Sequence, residues 1–215
     1  MNTLTHRFGS LALAAAPLPL ILGACGAEST AEAAAAAASA GDATDSEKTD
    51  MSSAPALPES SVYRLSAKTL AGEELDLAAH SGKVTLFVNV ASQCGFTRQY
   101  ADLQELHEEL GGETFAIVGI PSNDFGQQEP GTADEIARFC REDYGVTFQM
   151  LEKQSTKEGA SPLFDQLAAL TEGSRPTWNF CKYVVSADGA RARFFESAAL
   201  PGGDEIRSAI AELNM

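Results

Sequence analysis

A run of apolar and β-prone residues from Val84 to Val90 leads into a glycine-containing turn, after which Tyr100, Leu103, Leu106 and Leu110 recur at helical spacing. The first segment reads as a buried strand and the second as an amphipathic helix. Cys94 stands between them, where a strand ends and a helix begins. A sulfur near a helix N-terminus faces unpaired N–H groups and the positive end of the dipole, and both favour the thiolate, the nucleophilic form. Taken alone, a lone thiol in a turn is as often a small buried residue.

The rest of the chain extends this pattern. Val62-Tyr63-Arg64-Leu65 and Glu74-Leu75-Asp76-Leu77 flank Ala71-Gly72 and predict an opening hairpin. Thr114 to Ile120 is a second apolar run ended by Pro121. Thr132-Ala133-Asp134-Glu135 has the form of a capping box, with Ile136, Phe139 and Cys140 on one face behind it. Ser161-Pro162 starts another helix, carrying Leu163, Leu167 and Leu170. Asp188-Gly189 between Tyr183–Ser186 and Arg191–Phe195 predicts a hairpin. Asp204 opens a last helix with Ile206, Ile210 and Leu213 inward. The order predicts an α/β thioredoxin-like fold, a central mixed sheet with helices on both faces.

The N-terminal end reads differently. Residues 1–24 have the form of an export signal, with His6 and Arg7 before an apolar stretch from Leu11 to Leu22 that is too short for a comfortable span. Leu22-Gly23-Ala24-Cys25 resembles a bacterial lipobox, which makes Cys25 the lipidated first residue of the mature chain. Residues 25–58 are nearly all small, polar or acidic and predict a disordered tether, since so little apolar surface cannot offset ordering entropy. The expected location is the periplasmic side of the bacterial cell envelope, held by the lipid anchor alone.

Residues 59–215 suit one domain with one core. The chain carries a net charge of −15. Setting aside Arg7, and the six acids and Lys48 of the tether, leaves −11 on the domain. Such a charge argues against a nucleic-acid partner and against electrostatic docking on anionic lipid. Beyond Cys25 there remain Cys94, Cys140 and Cys181, with no CxxC and no disulfide framework. His80 and His107 stand alone and are read as surface residues, so neither a metal site nor a cofactor is expected.

Three segments now line up. They are Asn89-Val90-Ala91-Ser92-Gln93-Cys94-Gly95-Phe96-Thr97, then Phe125-Gly126-Gln127-Gln128-Glu129-Pro130-Gly131, then Trp178-Asn179-Phe180-Cys181-Lys182-Tyr183. In this order they resemble the motifs of the glutathione peroxidase family, over essentially all of 59–215. The resemblance implies a peroxidatic Cys94 with Gln128, Trp178 and Asn179 as its catalytic companions. The chemistry of these side chains agrees, because two amides and an indole N–H can surround an anionic sulfur and a departing alkoxide with neutral donors.

Cys140, 46 residues after Cys94, lies in the region that resembles the resolving-cysteine segment of thioredoxin-dependent members. The resemblance implies a Cys94 sulfenic acid condensing with Cys140 to a disulfide, recycled by a thioredoxin-like protein or by glutathione. A disulfide needs Cα atoms within about 7 Å, so the end of the Cys140 helix is expected to unwind. Cys181 reads as a small strand residue and only a secondary candidate resolver.

Departures from the family pattern are Asp124 in place of Gln, Ser122 in place of Cys, Gln149 in place of Pro, and a missing Val-Asn-Gly before Ser161. Asp124 brings a negative charge that is expected to weaken thiolate stabilisation. The short Thr171–Thr177 segment resembles the compact monomeric branch, whose open site accepts bulky lipid hydroperoxides. The expected function is therefore reduction of hydrogen peroxide and organic or lipid hydroperoxides. The alternative is a peroxide sensor or redox relay, which shares the same first step.

Overall fold

The computed structural model describes residues 56–214. The export signal, Cys25 and the tether up to residue 55 lie outside the described residues. A five-stranded sheet forms the centre, in the order β5 (Gln149–Met150), β4 (Phe115–Pro121), β3 (Val84–Val90), β6 (Lys182–Val185) and β7 (Ala192–Phe195). Its middle strand, β3 (Val84–Val90), is buried along its whole length. It pairs in parallel with β4 (Phe115–Pro121) over seven residues, from Val84 opposite Phe115 to Val90 opposite Pro121. Parallel pairing requires a crossover, and α1 (Gln99–Leu110) supplies it. On the other side β3 pairs antiparallel with β6 (Lys182–Val185), which turns at Asp188-Gly189 into β7 (Ala192–Phe195). Gly189 takes φ +73°, and a Cβ there would sit 2.3 Å from the Ser61 hydroxyl.

The alternation of β3 sorts the core into two halves. Val84, Leu86, Val88 and Val90 face α1, α2 (Ala133–Tyr144) and α4 (Asp204–Leu213), where Leu103, Leu106, Ile136, Cys140, Ile206 and Leu213 are buried. Phe87 faces the opposite way, onto Leu163, Phe164 and Leu167 of α3 (Pro162–Ala169) and onto Val62, Tyr63 and Leu77. Each such fully buried aliphatic or aromatic side chain contributes roughly 1.5–3 kcal/mol. Asn89, on the same strand face as Phe87, is 1% exposed, and this buried polar residue bears on the site below.

The capping box is realised: Thr132 accepts from the Glu135 N–H while the Glu135 carboxylate accepts from the Thr132 N–H. Ser161 caps α3 with Pro162 in its first turn. Helices cover both faces of a sheet with parallel and antiparallel pairs, which is the thioredoxin-like arrangement. No helix among the described residues is long and apolar enough to cross a membrane.

Three expectations need correction. Val62–Arg64 is a 3-10 turn rather than a strand, because Ser61 caps the Tyr63 N–H and both Val62 and Tyr63 point inward. The opening hairpin lies just beyond it, as β1 (Ser66–Lys68) paired with β2 (Glu74–Asp76). The two-residue β5 (Gln149–Met150), parallel to Val118–Gly119, extends the sheet where no strand was expected. The histidines are half-buried rather than on the surface: the His107 ring packs edge-on against Phe148 at 5.9 Å, and burial lowers the pKa of both His80 and His107.

Candidate active site

Cys94 sits in a series of tight turns between β3 and α1. The turn is built locally: the Cys94 N–H donates to Thr97 Oγ1 at 2.9 Å, and the Thr97 hydroxyl donates back to the Ala91 carbonyl. From Cys94 onward, N–H groups bond three residues back (Thr97 to Cys94, Gln99 to Phe96, Tyr100 to Thr97), so the turns run directly into α1. The sulfur thus precedes the helix proper by five residues. It meets one backbone donor of this ladder, the Phe96 N–H at 3.4 Å. Cys94 is half-buried, open enough for a small molecule to reach.

Gln128 comes from the loop after β4. Gly126 (φ +62°) and Gln127 (φ +52°) are consecutive left-handed residues, a strained turn that reverses the chain. The Gln93 N–H, next to Cys94, donates to the Gln128 carbonyl at 3.0 Å. From the opposite side the Asn179 side-chain NH2 donates to Gln128 Oε1 at 3.0 Å. With its oxygen so engaged, the Gln128 amide is left to present its own NH2. Asn179 is fully buried, and its Oδ1 has no partner. Trp178 is 40% exposed and rests against Phe125, ring centroids 5.9 Å apart. Trp178 directly precedes Asn179 and Phe125 lies three residues before Gln128, so this ring contact joins the two segments that carry the amides.

Asn89 fixes the Trp178 segment to the sheet. Its Nδ2 donates to the Trp178 carbonyl (3.0 Å) and its Oδ1 accepts from the Cys181 N–H (2.9 Å). Its backbone carbonyl takes the Phe180 N–H at 2.6 Å, and its N–H goes to the Cys181 carbonyl. These bonds hold Phe180 in a left-handed conformation, φ +66°, that is unusual for a bulky side chain. Asn89 opens the first of the three motifs, yet the motif itself assigns it no role. Its one available signal is an amide near the end of a largely apolar strand, which a buried strand tolerates only when the amide is satisfied.

Glu129 is the second residue without an assigned role. It is fully buried, and both carboxylate oxygens accept from Ser92, one from the N–H at 2.9 Å and one from the hydroxyl at 2.8 Å. Burial raises its pKa, and the Ser92 hydrogen bonds and Lys153 only partly offset this. The buried Lys182 ammonium lies close to the start of α1, donating to Gln99 Oε1 and to the carbonyls of Ser197 and Ala199, and burial depresses its pKa to about 8.

Cys140 is on the last turns of α2 and is 2% exposed within the core half that contains Tyr100 and Ile136. Burial pushes its pKa up to about 11, so the thiol is the resident form. The Tyr100 hydroxyl, buried in the same core half, has no hydrogen-bond partner. Cys94 and Cys140 are both free thiols. Cys181 is fully buried, its sulfur 3.4 Å from Glu196 Oε2 and 3.5 Å from Ser197 Oγ.

Asp124 is held by the Thr156 N–H and hydroxyl and by the Ser155 hydroxyl. Desolvation acts to raise its pKa, but these donors outweigh it and keep the carboxyl below the ordinary range. The 155–156 loop thus holds Asp124 as a carboxylate.

Comparison with known proteins places the chain among its relatives. The family model "Glutathione peroxidase" matches residues 62–168. The "Hydroperoxy fatty acid reductase gpx1" of Synechocystis sp. is 42% identical over 162 residues, 71% of this chain and 95% of the relative. The "Glutathione peroxidase-like peroxiredoxin 2" of Saccharomyces cerevisiae is 37% identical, over 71% of this chain and 98% of its own. The apo crystal structure of Trgpx superposes with a TM-score of 0.57 at 29% identity, covering 72% of this chain and 95% of that one.

Proposed function

Because this chain belongs to the glutathione peroxidase family, and so is a peroxidase that reduces hydroperoxides, we propose that Cys94 is the sulfur that attacks the peroxide. The reading is carried by the Gln128–Asn179 amide pair, hydrogen-bonded to each other at 3.0 Å and joined to the Cys94 turn through Gln93. The Cys94 thiolate attacks the terminal oxygen of the hydroperoxide. The O–O bond breaks, the sulfur becomes a sulfenic acid, and the alkoxide leaves with the electron pair. Neutral donors from Gln128, Asn179 and Trp178 stabilise that developing charge. Cys140 then condenses with the sulfenic acid, giving a Cys94–Cys140 disulfide and water.

The buried position of Cys140 requires the end of α2 to open before this second step. A thioredoxin-like dithiol then reduces the disulfide. Lipid hydroperoxides belong among the substrates: Trp178 and Phe125 offer apolar faces beside the amides, and one relative is named a hydroperoxy fatty acid reductase. The enzyme acts as a monomer, exported and anchored through lipidated Cys25 on the periplasmic side of the envelope. Cys25→Ser should move it from the membrane to the soluble fraction.

The central test adds one equivalent of hydrogen peroxide to the reduced enzyme without air, followed by digestion and mass spectrometry. A peptide linking Cys94 to Cys140 is expected. A glutathione adduct on Cys94, turned over faster by glutathione than by thioredoxin, would reverse the reductant assignment. Undiminished turnover in Cys94→Ser would defeat the reading as a whole.

A further inference from the structure

Two consecutive residues of the Cys94 turn are fastened to two consecutive residues of the Gln128 segment. The Gln93 N–H donates to the Gln128 carbonyl, and one residue earlier Ser92 gives both its donors to the Glu129 carboxylate. Glu129 is itself held from behind, its N–H donating to Asn123 Oδ1 at 2.8 Å. Beside this clamp opens a cavity of about 380 Å³ lined by Ser92, Gln93, Glu129, Pro130, Ile136 and Phe139. Buried loops are ordinarily fixed by close packing. On this side the turn borders an open surface pocket instead of packed side chains, so hydrogen bonds set the chain position two residues before the sulfur.

We propose that Glu129 is a positioning residue for Cys94: its carboxylate fixes Ser92 and, with the Gln93–Gln128 bond, holds the sulfur in register with the Gln128 and Asn179 amides. With Cys94 as the attacking residue, the reading on which this rests, the reach of the side chain matters more than its charge. Glutamine at 129 keeps the reach, its Oε1 accepting from the Ser92 N–H and its Nε2 donating to Ser92 Oγ. Aspartate keeps the charge but is one carbon too short to hold both donors.

The test measures the rate constant for oxidation of Cys94 by hydrogen peroxide, using rapid quench and alkylation of reduced protein. Glu129→Asp is expected to lose about 10- to 100-fold, because displacements near 1 Å carry losses of that order. Glu129→Gln should stay within about threefold of wild type on the same geometric ground. Reduction of the oxidised enzyme by dithiothreitol should be unchanged in both, which a general loss of structure would not leave intact. Ser92→Ala, a small change that removes one donor, should lose about three- to tenfold, and it keeps the test open if the aspartate variant misfolds. Wild-type rates in Glu129→Asp or Ser92→Ala, or a glutamine variant slower than the aspartate one, would overturn the role of Glu129. Undiminished turnover in Cys94→Ser would instead remove the premise, so the two failures are distinguishable.

Discussion

The side-chain amide of Asn89 donates to the carbonyl of Trp178 across 89 positions of sequence, at 3.0 Å, from the C-terminal end of the central strand. The same amide accepts from Cys181 and so ties both ends of the Trp178–Cys181 segment to the most rigid part of the sheet. Truncating it leaves the half-buried Trp178 carbonyl and the buried Cys181 N–H without this partner. Asn89→Ala is expected to lower stability by roughly 2–4 kcal/mol, at about 1–3 kcal/mol for each orphaned group. Peroxidase kcat/KM should fall about 100-fold as the Trp178–Asn179 pair drifts. Urea denaturation and steady-state peroxide consumption measure the two effects.

The Asn179–Gln128 bond has a direction, and direction gives a prediction. Asn179→Asp preserves size but cannot donate to Gln128 Oε1. It would turn the Gln128 amide around and aim its oxygen outward, beside a new negative charge. Turnover of hydrogen peroxide should fall at least as far as in Asn179→Ala, about 10²- to 10³-fold in both. A milder effect in the aspartate variant would show that the amide orientation is unimportant.

Burial separates the three thiols of the domain. In reduced native protein at pH 8, iodoacetamide should alkylate Cys94 first and leave Cys140 and Cys181 protected, since these are 2% and 0% exposed. Cys140 carries the further protection of a pKa pushed up to about 11. Peptide mapping over time gives the order. Labelling of Cys140 should follow the opening of α2, and adding denaturant below the unfolding midpoint should accelerate it.

Glu129 gives a pH-dependent stability with a definite sign. Its folded-state pKa is raised by burial. Its favourable contribution is therefore complete below the unfolded pKa and is lost as pH rises through the folded value. Glu129→Gln should match wild-type stability near pH 4 and exceed it at pH 7. Thermal melts at the two pH values check this.

The strand-turn-helix around Cys94, the capping box at Thr132 and the Asp188-Gly189 hairpin were legible because each is written in local chemistry: periodicity, a cap and a turn. Val62–Leu65 misled because adjacent buried residues in one 3-10 turn imitate a short strand. Two residues of β5 are too few to show any period. The roles of Asn89 and Glu129 were hidden for another reason. Their partners lie 89 and 37 positions away, and hydrogen bonds over such separations leave no local trace.

Trp178, two-fifths exposed against Phe125, is also the chain's one tryptophan. The tryptophan emission of this protein, excited selectively over its tyrosines, therefore originates at a single point, next to Asn179 and through Asn89 to the sheet. Any event that alters polarity there, such as arrival of an acyl chain or withdrawal of a neighbouring ring, is readable by fluorimetry with no added label.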